Sequence, residues 1–151
     1  METFINPAIN YPVMKLCSAC LLGVKCRYDG NSKPNPRIIA LSKKETLIPV
    51  CPEQLGGLPT PRSPAEQRGK KVITFLEDDV TNQFVRGAEE TLAIAKLFGI
   101  KEVILKQRSA SCGSGKIYDG TFCEKVIKGD CITAALLKKN GISIMTEEDF
   151  E

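Results

Sequence analysis

The sequence predicts an α/β protein: one three-layer, Rossmann-like domain with a mainly parallel sheet and right-handed crossovers. Three observations point that way. Short apolar runs, the clearest being Glu102-Val103-Ile104-Leu105-Lys106, read as buried strands. Helical patterns alternate with them, the strongest formed by Phe84, Val85, Ala88, Leu92, Ala95 and Leu97. Long irregular loops follow the strands, at the sheet edge where open α/β folds place their sites.

In chain order, residues 1–12 hold two prolines and two asparagines without periodicity and read as an N-terminal extension whose deletion should be tolerated. Residues 13–151 read as a single domain without an internal repeat. Val13 to Cys17 is the first strand, feeding a long loop through Cys20, Cys26 and Gly30. Arg37 to Lys44 suggests a short helix, with Ile38, Ile39 and Leu41 and a basic end. Thr46 to Val50 is the second strand, weakened by Pro49, which cannot donate to a ladder. Beyond Cys51-Pro52-Glu53, the prolines and glycines from Leu55 to Glu66 predict an irregular loop, and loops of that length in compact domains are usually functional.

Lys71 to Leu76 suggests an edge hairpin strand turned by Asp78 and Asp79. Thr81 is the expected N-cap of the long helix and Gly99 its stop. Ile100 to Lys106 is the third strand, followed by the Cys112 loop and a turn at Tyr118 to Phe122. Asp130 to Asn140 reads as the last helix, closed by Gly141, and Ile142 to Met145 as a fourth, short parallel strand.

A chain of 151 residues can bury roughly 68–70% of its unfolded surface without disulfides or metals. Its net charge of +3 comes from dispersed Lys and Arg, which argues against nucleic acid as a partner and for a small ligand. No apolar run approaches the ~20 residues that span a bilayer, and the start lacks a basic and apolar leader, so a cytoplasmic protein is expected. Oligomeric state is left open between monomer and homodimer.

Seven cysteines with no histidine set the chemistry. Cytosolic thiols stay reduced, so so many of them suggest metal or thiol chemistry, while the commonest zinc partner and general base is missing. Cys17 and Cys20 form a C-x-x-C: a redox pair, half a zinc site, or, for Cys17, a buried inert thiol. Cys26 reads as a spare thiol near the site or a small residue packed under its loop. Cys123 and Cys131 read as core or surface thiols. Cys20, Cys51 and Cys112 each follow a predicted strand and can meet at one sheet edge, where three thiolates hold either zinc with an open position or an iron–sulfur cluster with one iron free. The all-thiolate set favours iron and sulfur. Glu53 is the candidate proton-transfer group, or else the partner of Arg27 or Arg62 in a structural ion pair. Ser109 and Ser111 are candidates to orient water or to cap their loop.

Taken together, Ser18-Ala19-Cys20-Leu21-Leu22-Gly23, Cys26-Arg27-Tyr28-Asp29-Gly30, Cys51-Pro52-Glu53, Pro61-Arg62, Pro64-Ala65-Glu66, Ser109-Ala110-Ser111-Cys112-Gly113 and Tyr118-Asp119-Gly120-Thr121-Phe122 resemble the domain-of-unknown-function family numbered 523, which includes a thiouracil desulfidase. The likeness runs from about Lys15 to Glu147. It implies a [4Fe–4S] cluster on Cys20, Cys51 and Cys112 whose free iron takes the sulfur of a thiolated pyrimidine. It also implies non-redox desulfuration to a uracil-type product and hydrogen sulfide, with Glu53 as acid/base and Ser109 orienting water. Where the family commonly has proline between the two serines, this chain has Ala110. A non-catalytic zinc or sulfur-carrier protein using the same thiols is the alternative, and thiol–disulfide exchange through Cys17 and Cys20 a third reading.

Overall fold

The computed structural model describes residues 5–6 and 11–150. Its elements begin with a two-residue antiparallel ribbon, β1 (Ile5–Asn6) against β2 (Tyr11–Pro12). The remainder of the expected extension, residues 1–4 and 7–10, lies outside the described residues. Then follow β3 (Met14–Ser18), a 3-10 turn Ala19–Leu22, α1 (Pro36–Leu41), β4 (Thr46–Val50), α2 (Pro52–Leu55), β5 (Ala65–Arg68), β6 (Lys71–Thr74) and α3 (Thr81–Leu97). The chain ends with β7 (Glu102–Leu105), β8 (Lys116–Tyr118), β9 (Val126–Lys128), α4 (Ile132–Lys139), β10 (Ser143–Thr146) and a second 3-10 turn, Glu147–Phe150.

Four strands form the main sheet in the order β10-β7-β3-β4, every pair parallel. Side-chain alternation along these strands divides the core. Leu16, Val50, Val103 and Leu105 pack with Ala95 of α3 and Ala134 and Leu137 of α4. Cys17, Leu47 and Ile104 face the other way, with Ile38 of α1. The result is three layers, as the alternation of elements predicts. The chain leaves β3 toward β4 over the α1 face and returns past β3 to β7 over the α3 face, a reversal of direction with a change of face that a single crossover hand requires. Pro49 is tolerated because β4 is an edge strand.

Both long helices stop on a glycine. Gly99 and Gly141 have φ of +65° and +78°. At each, the glycine N–H and the next N–H bond back into the last turn: Gly99 to Lys96 and Ile100 to Ala95, Gly141 to Lys138 and Ile142 to Leu137. Thr81 differs from expectation. It is the first helical residue, with Val80 at the N-cap. Its hydroxyl is occupied elsewhere, accepting from Val72 N–H (2.9 Å) and donating to Asp79 Oδ1 (2.6 Å). The first helix is shorter than predicted; Asn35 caps it, its side chain accepting from Arg37 and Ile38 N–H, with Pro36 in the first turn.

Two further ribbons lie outside the main sheet: β5 with β6, and β8 with β9. The stretch predicted as an irregular loop therefore ends at Ala65, and the turn at Tyr118 to Phe122 belongs to a hairpin. Strands of three or four residues are too short to show alternation.

Helix α2, which carries the chain away from Cys51, is seated on α3 backbone to backbone. A Cβ on Gly87 would lie 1.9 Å from Pro52 O, and one on Gly56 2.0 Å from Gln83 O. Gly87→Ala is accordingly expected to destabilise the protein by about 2–3 kcal/mol despite alanine's better helix propensity, because neither backbone can yield by a rotamer change. Urea unfolding monitored by circular dichroism reads the shift in midpoint.

Candidate active site

The site lies where the strand order reverses, beyond the carboxyl ends of β3, β4 and β7. The ends of β3 and β7 are joined there by Ser18, whose Oγ accepts from Lys106 N–H at 2.9 Å. Cys20 sits in the 3-10 turn after β3, Cys51 is the N-cap of α2 after β4, and Cys112 lies in the loop after β7. All three thiols line one cavity of about 460 Å³, together with Glu53, Ser109 and Ser111, a volume inside the range of about 300–1,000 Å³ usual for small-molecule sites. Every predicted site residue is thus brought to one place.

Cys26 joins them. It is 2% exposed and lines the same cavity, and its carbonyl oxygen lies 3.8 Å from Cys51 Sγ. Pairing with Cys20 pushes the Cys26 thiol up, and pairing with Cys26, with burial second, pushes Cys51 up. Burial pushes Cys112 up to about 12, against the hydroxyls of Ser18 and Ser111 beside it. Bare, Cys26, Cys51 and Cys112 are neutral thiols at physiological pH; an adjacent metal charge is what turns such groups into thiolates.

Cys17 is separate. It is fully buried in the α1-side core, absent from the cavity lining, and raised to about 12 by that burial. Cys131 is the N-cap of α4, its Sγ accepting from Ala134 N–H at 3.3 Å. Cys123 is exposed on the β8–β9 loop. All seven cysteines are free.

Glu53 forms the ion pair with Arg62 weighed from the sequence and also lines the cavity. Its Oε1 accepts from Arg62 Nε at 3.1 Å, and its Oε2 accepts from Ser111 Oγ at 2.8 Å. Arg62 is itself anchored, donating to Thr60 Oγ1 (2.9 Å), Pro59 O (3.2 Å) and Cys26 O (2.9 Å). Of the two serines, Ser111 touches the carboxylate; Ser109 reaches it only through Ser111, the hydroxyls being 3.3 Å apart. Ser111 Oγ also lies 3.7 Å from Cys112 Sγ.

The Cys112 loop is closed by Gln107, which sequence reasoning passed over. Its side chain accepts from Ser114 N–H (2.9 Å) and donates to Ser114 O (2.7 Å), and its own N–H donates to Glu147 Oε1 (2.6 Å). Gly113 is needed for the same closure, since a Cβ there would lie 2.7 Å from Lys116 O and 2.9 Å from Ser109 O. A glutamine carries no sequence signal for this; only the fold shows what it spans.

The soft donors of the cavity are thiols, in a chain without histidine. Thiols delivered to one cavity from three strand ends suit a multi-iron cluster, in which each binds a different iron.

Comparison with known proteins agrees with this chemistry. Residues 16–149 match the family model described as 2-thiouracil desulfurase. The chain is 44% identical to a solved [4Fe-4S]-dependent thiouracil desulfidase, TudS, with a TM-score of 0.86 over 91% of this chain and 92% of that one. It is 43% identical over 146 residues to the uncharacterized protein YbbK of Bacillus subtilis (strain 168), covering 90% of this chain and 97% of the relative. The chain belongs to the 2-thiouracil desulfurase family.

Proposed function

We propose that the protein is an iron–sulfur-dependent desulfidase that hydrolyses the carbon–sulfur bond of a thiouracil-like pyrimidine. The observation that carries this is the meeting of the Cys20, Cys51 and Cys112 thiols in one cavity that also holds a carboxylate hydrogen-bonded to a serine hydroxyl. Cys20, Cys51 and Cys112, one from each strand end, would hold a [4Fe–4S] cluster with one iron unligated by protein. Bound there, the cluster supplies a Lewis acid suited to a soft sulfur donor.

The chain's own groups supply the rest. Glu53 is fixed by Arg62 on one oxygen and faces Ser111 with the other; in this reading Oε2 takes the proton from a water attacking the carbon that bears sulfur. Ser109, at the outer end of the hydroxyl pair, orients that water. Water replaces sulfur at the carbon, sulfur leaves as hydrogen sulfide, and no electrons are gained or lost.

Zinc binding or sulfur carriage by the same thiols is less well supported, because the matching family model is that of a 2-thiouracil desulfurase and the solved relative is [4Fe-4S]-dependent. Exchange through Cys17 and Cys20 is disfavoured by the burial of Cys17, which leaves it protonated at neutral pH. The free thiols suit a reducing compartment, and we place the protein in the cytoplasm, working on free small molecules as a monomer or homodimer. Among the described residues, no helix is long and apolar enough to cross a membrane.

The test is anaerobic reconstitution followed by assay on 2-thiouracil. Uptake of about four irons and four sulfides per chain, with uracil and sulfide released in equal amounts, is the expected result. Stoichiometric zinc in freshly purified protein, with no turnover after iron loading, overturns the reading.

A further inference from the structure

The cavity has a second wall, built by the β8–β9 hairpin. Tyr118 ends β8, and Phe122 and Glu124 lie in the loop beyond it; all three line the same cavity as the thiols. Phe122 and Glu124 have φ of +59° and +60°, a left-handed conformation that bulky residues seldom adopt unless their surroundings impose it. Loops of this kind are ordinarily left to solvent. This one is tied down from outside and from within.

The main tie is Glu66 in β5, a cavity residue whose Oε1 accepts from Gly120 N–H at 3.0 Å and from Phe122 N–H at 3.1 Å. One carboxylate oxygen thus fixes two backbone donors 54 and 56 residues away. Beside it, the Arg68 guanidinium donates to Gly120 O (3.0 and 3.3 Å), and Gly120, at φ +91°, sits close enough to β5 that a Cβ would lie 3.0 Å from Gln67 O. Asp119 Oδ1 accepts from the Thr121 N–H and hydroxyl. The Phe122 ring is braced edge-on by Phe75, centroids 5.5 Å apart at 79°.

The chemistry of the wall says what it is for. The aromatic residues of the lining are Tyr28, Tyr118 and Phe122. Tyr28 is partly taken up by the Arg27 guanidinium, 5.8 Å from its ring centroid. Tyr118 and Phe122 are therefore the flat apolar faces held rigidly within a cavity that is otherwise largely charged and polar. Such faces bind planar heterocycles by stacking.

We propose that Tyr118 and Phe122 form a stacking wall that selects a flat ring as substrate, and that Glu66 is the positioning residue that holds this wall over the cavity. The inference deepens the proposed function, on which it rests for the identity of the ring.

The experiment uses cluster-loaded protein, measuring kcat and KM for 2-thiouracil, the dissociation constant for the product uracil, and iron content. Phe122→Ala and Phe122→Leu, the second keeping apolar bulk without a flat face, should raise KM and the uracil dissociation constant at least about fivefold. In both, kcat should stay within about twofold and iron content should be unchanged. Phe122→Trp should restore binding. Glu66→Ala should reproduce the rise in KM, and Glu66→Gln should recover part of it, because the amide oxygen still accepts from an N–H.

Unchanged KM in the Phe122 variants overturns the stacking wall, and so does a parallel fall of kcat and iron content, which would mark a structural role. Unchanged KM in Glu66→Ala overturns the positioning role alone. If loaded wild-type protein neither binds uracil nor turns over 2-thiouracil, the proposed function fails and takes the wall with it.

Discussion

Cys112→Ser is expected to leave the protein folded but unable to hold its cluster. Cys112 is 4% exposed and packed with Leu105, Ile117 and Cys131, so the nearly isosteric serine brings only a hydroxyl into that space. The Ser18 and Ser111 hydroxyls already neighbour Sγ and can satisfy it. What is lost is the sulfur. Among the three strand-end thiols, Cys112 alone comes from the β7 side, so no other thiol takes its place. Turnover should fall by more than about 100-fold, beyond the 10–100-fold usual for a lost outer-shell partner, with iron and sulfide content falling in parallel. Cys131→Ser, at a helix cap outside the cavity, should load iron as the wild type does. Cys26→Ser should also load, since the proposed ligand set is Cys20, Cys51 and Cys112; loss of iron in that variant would move Cys26 into it. A Cys112→Ser protein that takes up a full cluster would end the iron–sulfur reading.

Glu53→Gln separates proton transfer from architecture. The amide oxygen can still accept from Arg62 Nε, and its NH₂ can donate to Ser111 Oγ, so both contacts of the carboxylate survive with one polarity reversed. Arg62 keeps its bonds to Pro59, Thr60 and Cys26, so the loop behind the site stays in place. The cluster should therefore load normally while turnover drops by about 10²–10⁴, the usual span for loss of a general acid/base. Ser111→Ala and Ser109→Ala divide the hydroxyl pair: the first frees the Glu53 carboxylate from its hydroxyl donor, the second leaves that contact intact. A larger loss in Ser109→Ala would place the attacking water at Ser109; the reverse would give Ser111 the main role. Equal activity in Glu53→Gln would reduce Glu53 to the structural partner of Arg62.

Much of the fold was legible because its signals are local. The main strands and α3 lie within a few residues of their predicted positions, since apolar runs, helical spacing and C-terminal glycines act over one or two turns of chain. Pairing and caps were less visible. The β5–β6 and β8–β9 hairpins are made of three- and four-residue strands, and Thr81 fails as a cap because strand β6 and Asp79 compete for its hydroxyl.

By itself, the sequence determined the α/β class and the gathering of Cys20, Cys51, Cys112, Glu53 and Ser109 at one sheet edge, because parallel strands ending at the same edge must deliver the residues that follow them there. Tertiary structure alone decided that Cys26 joins these thiols while Cys17 turns into the core. It also decided that Ser111 meets Glu53 and that Glu66 reaches across to Gly120 and Phe122. Those contacts link residues 54 to 58 positions apart, and their partners are set by packing and backbone direction, which no local pattern of residues encodes.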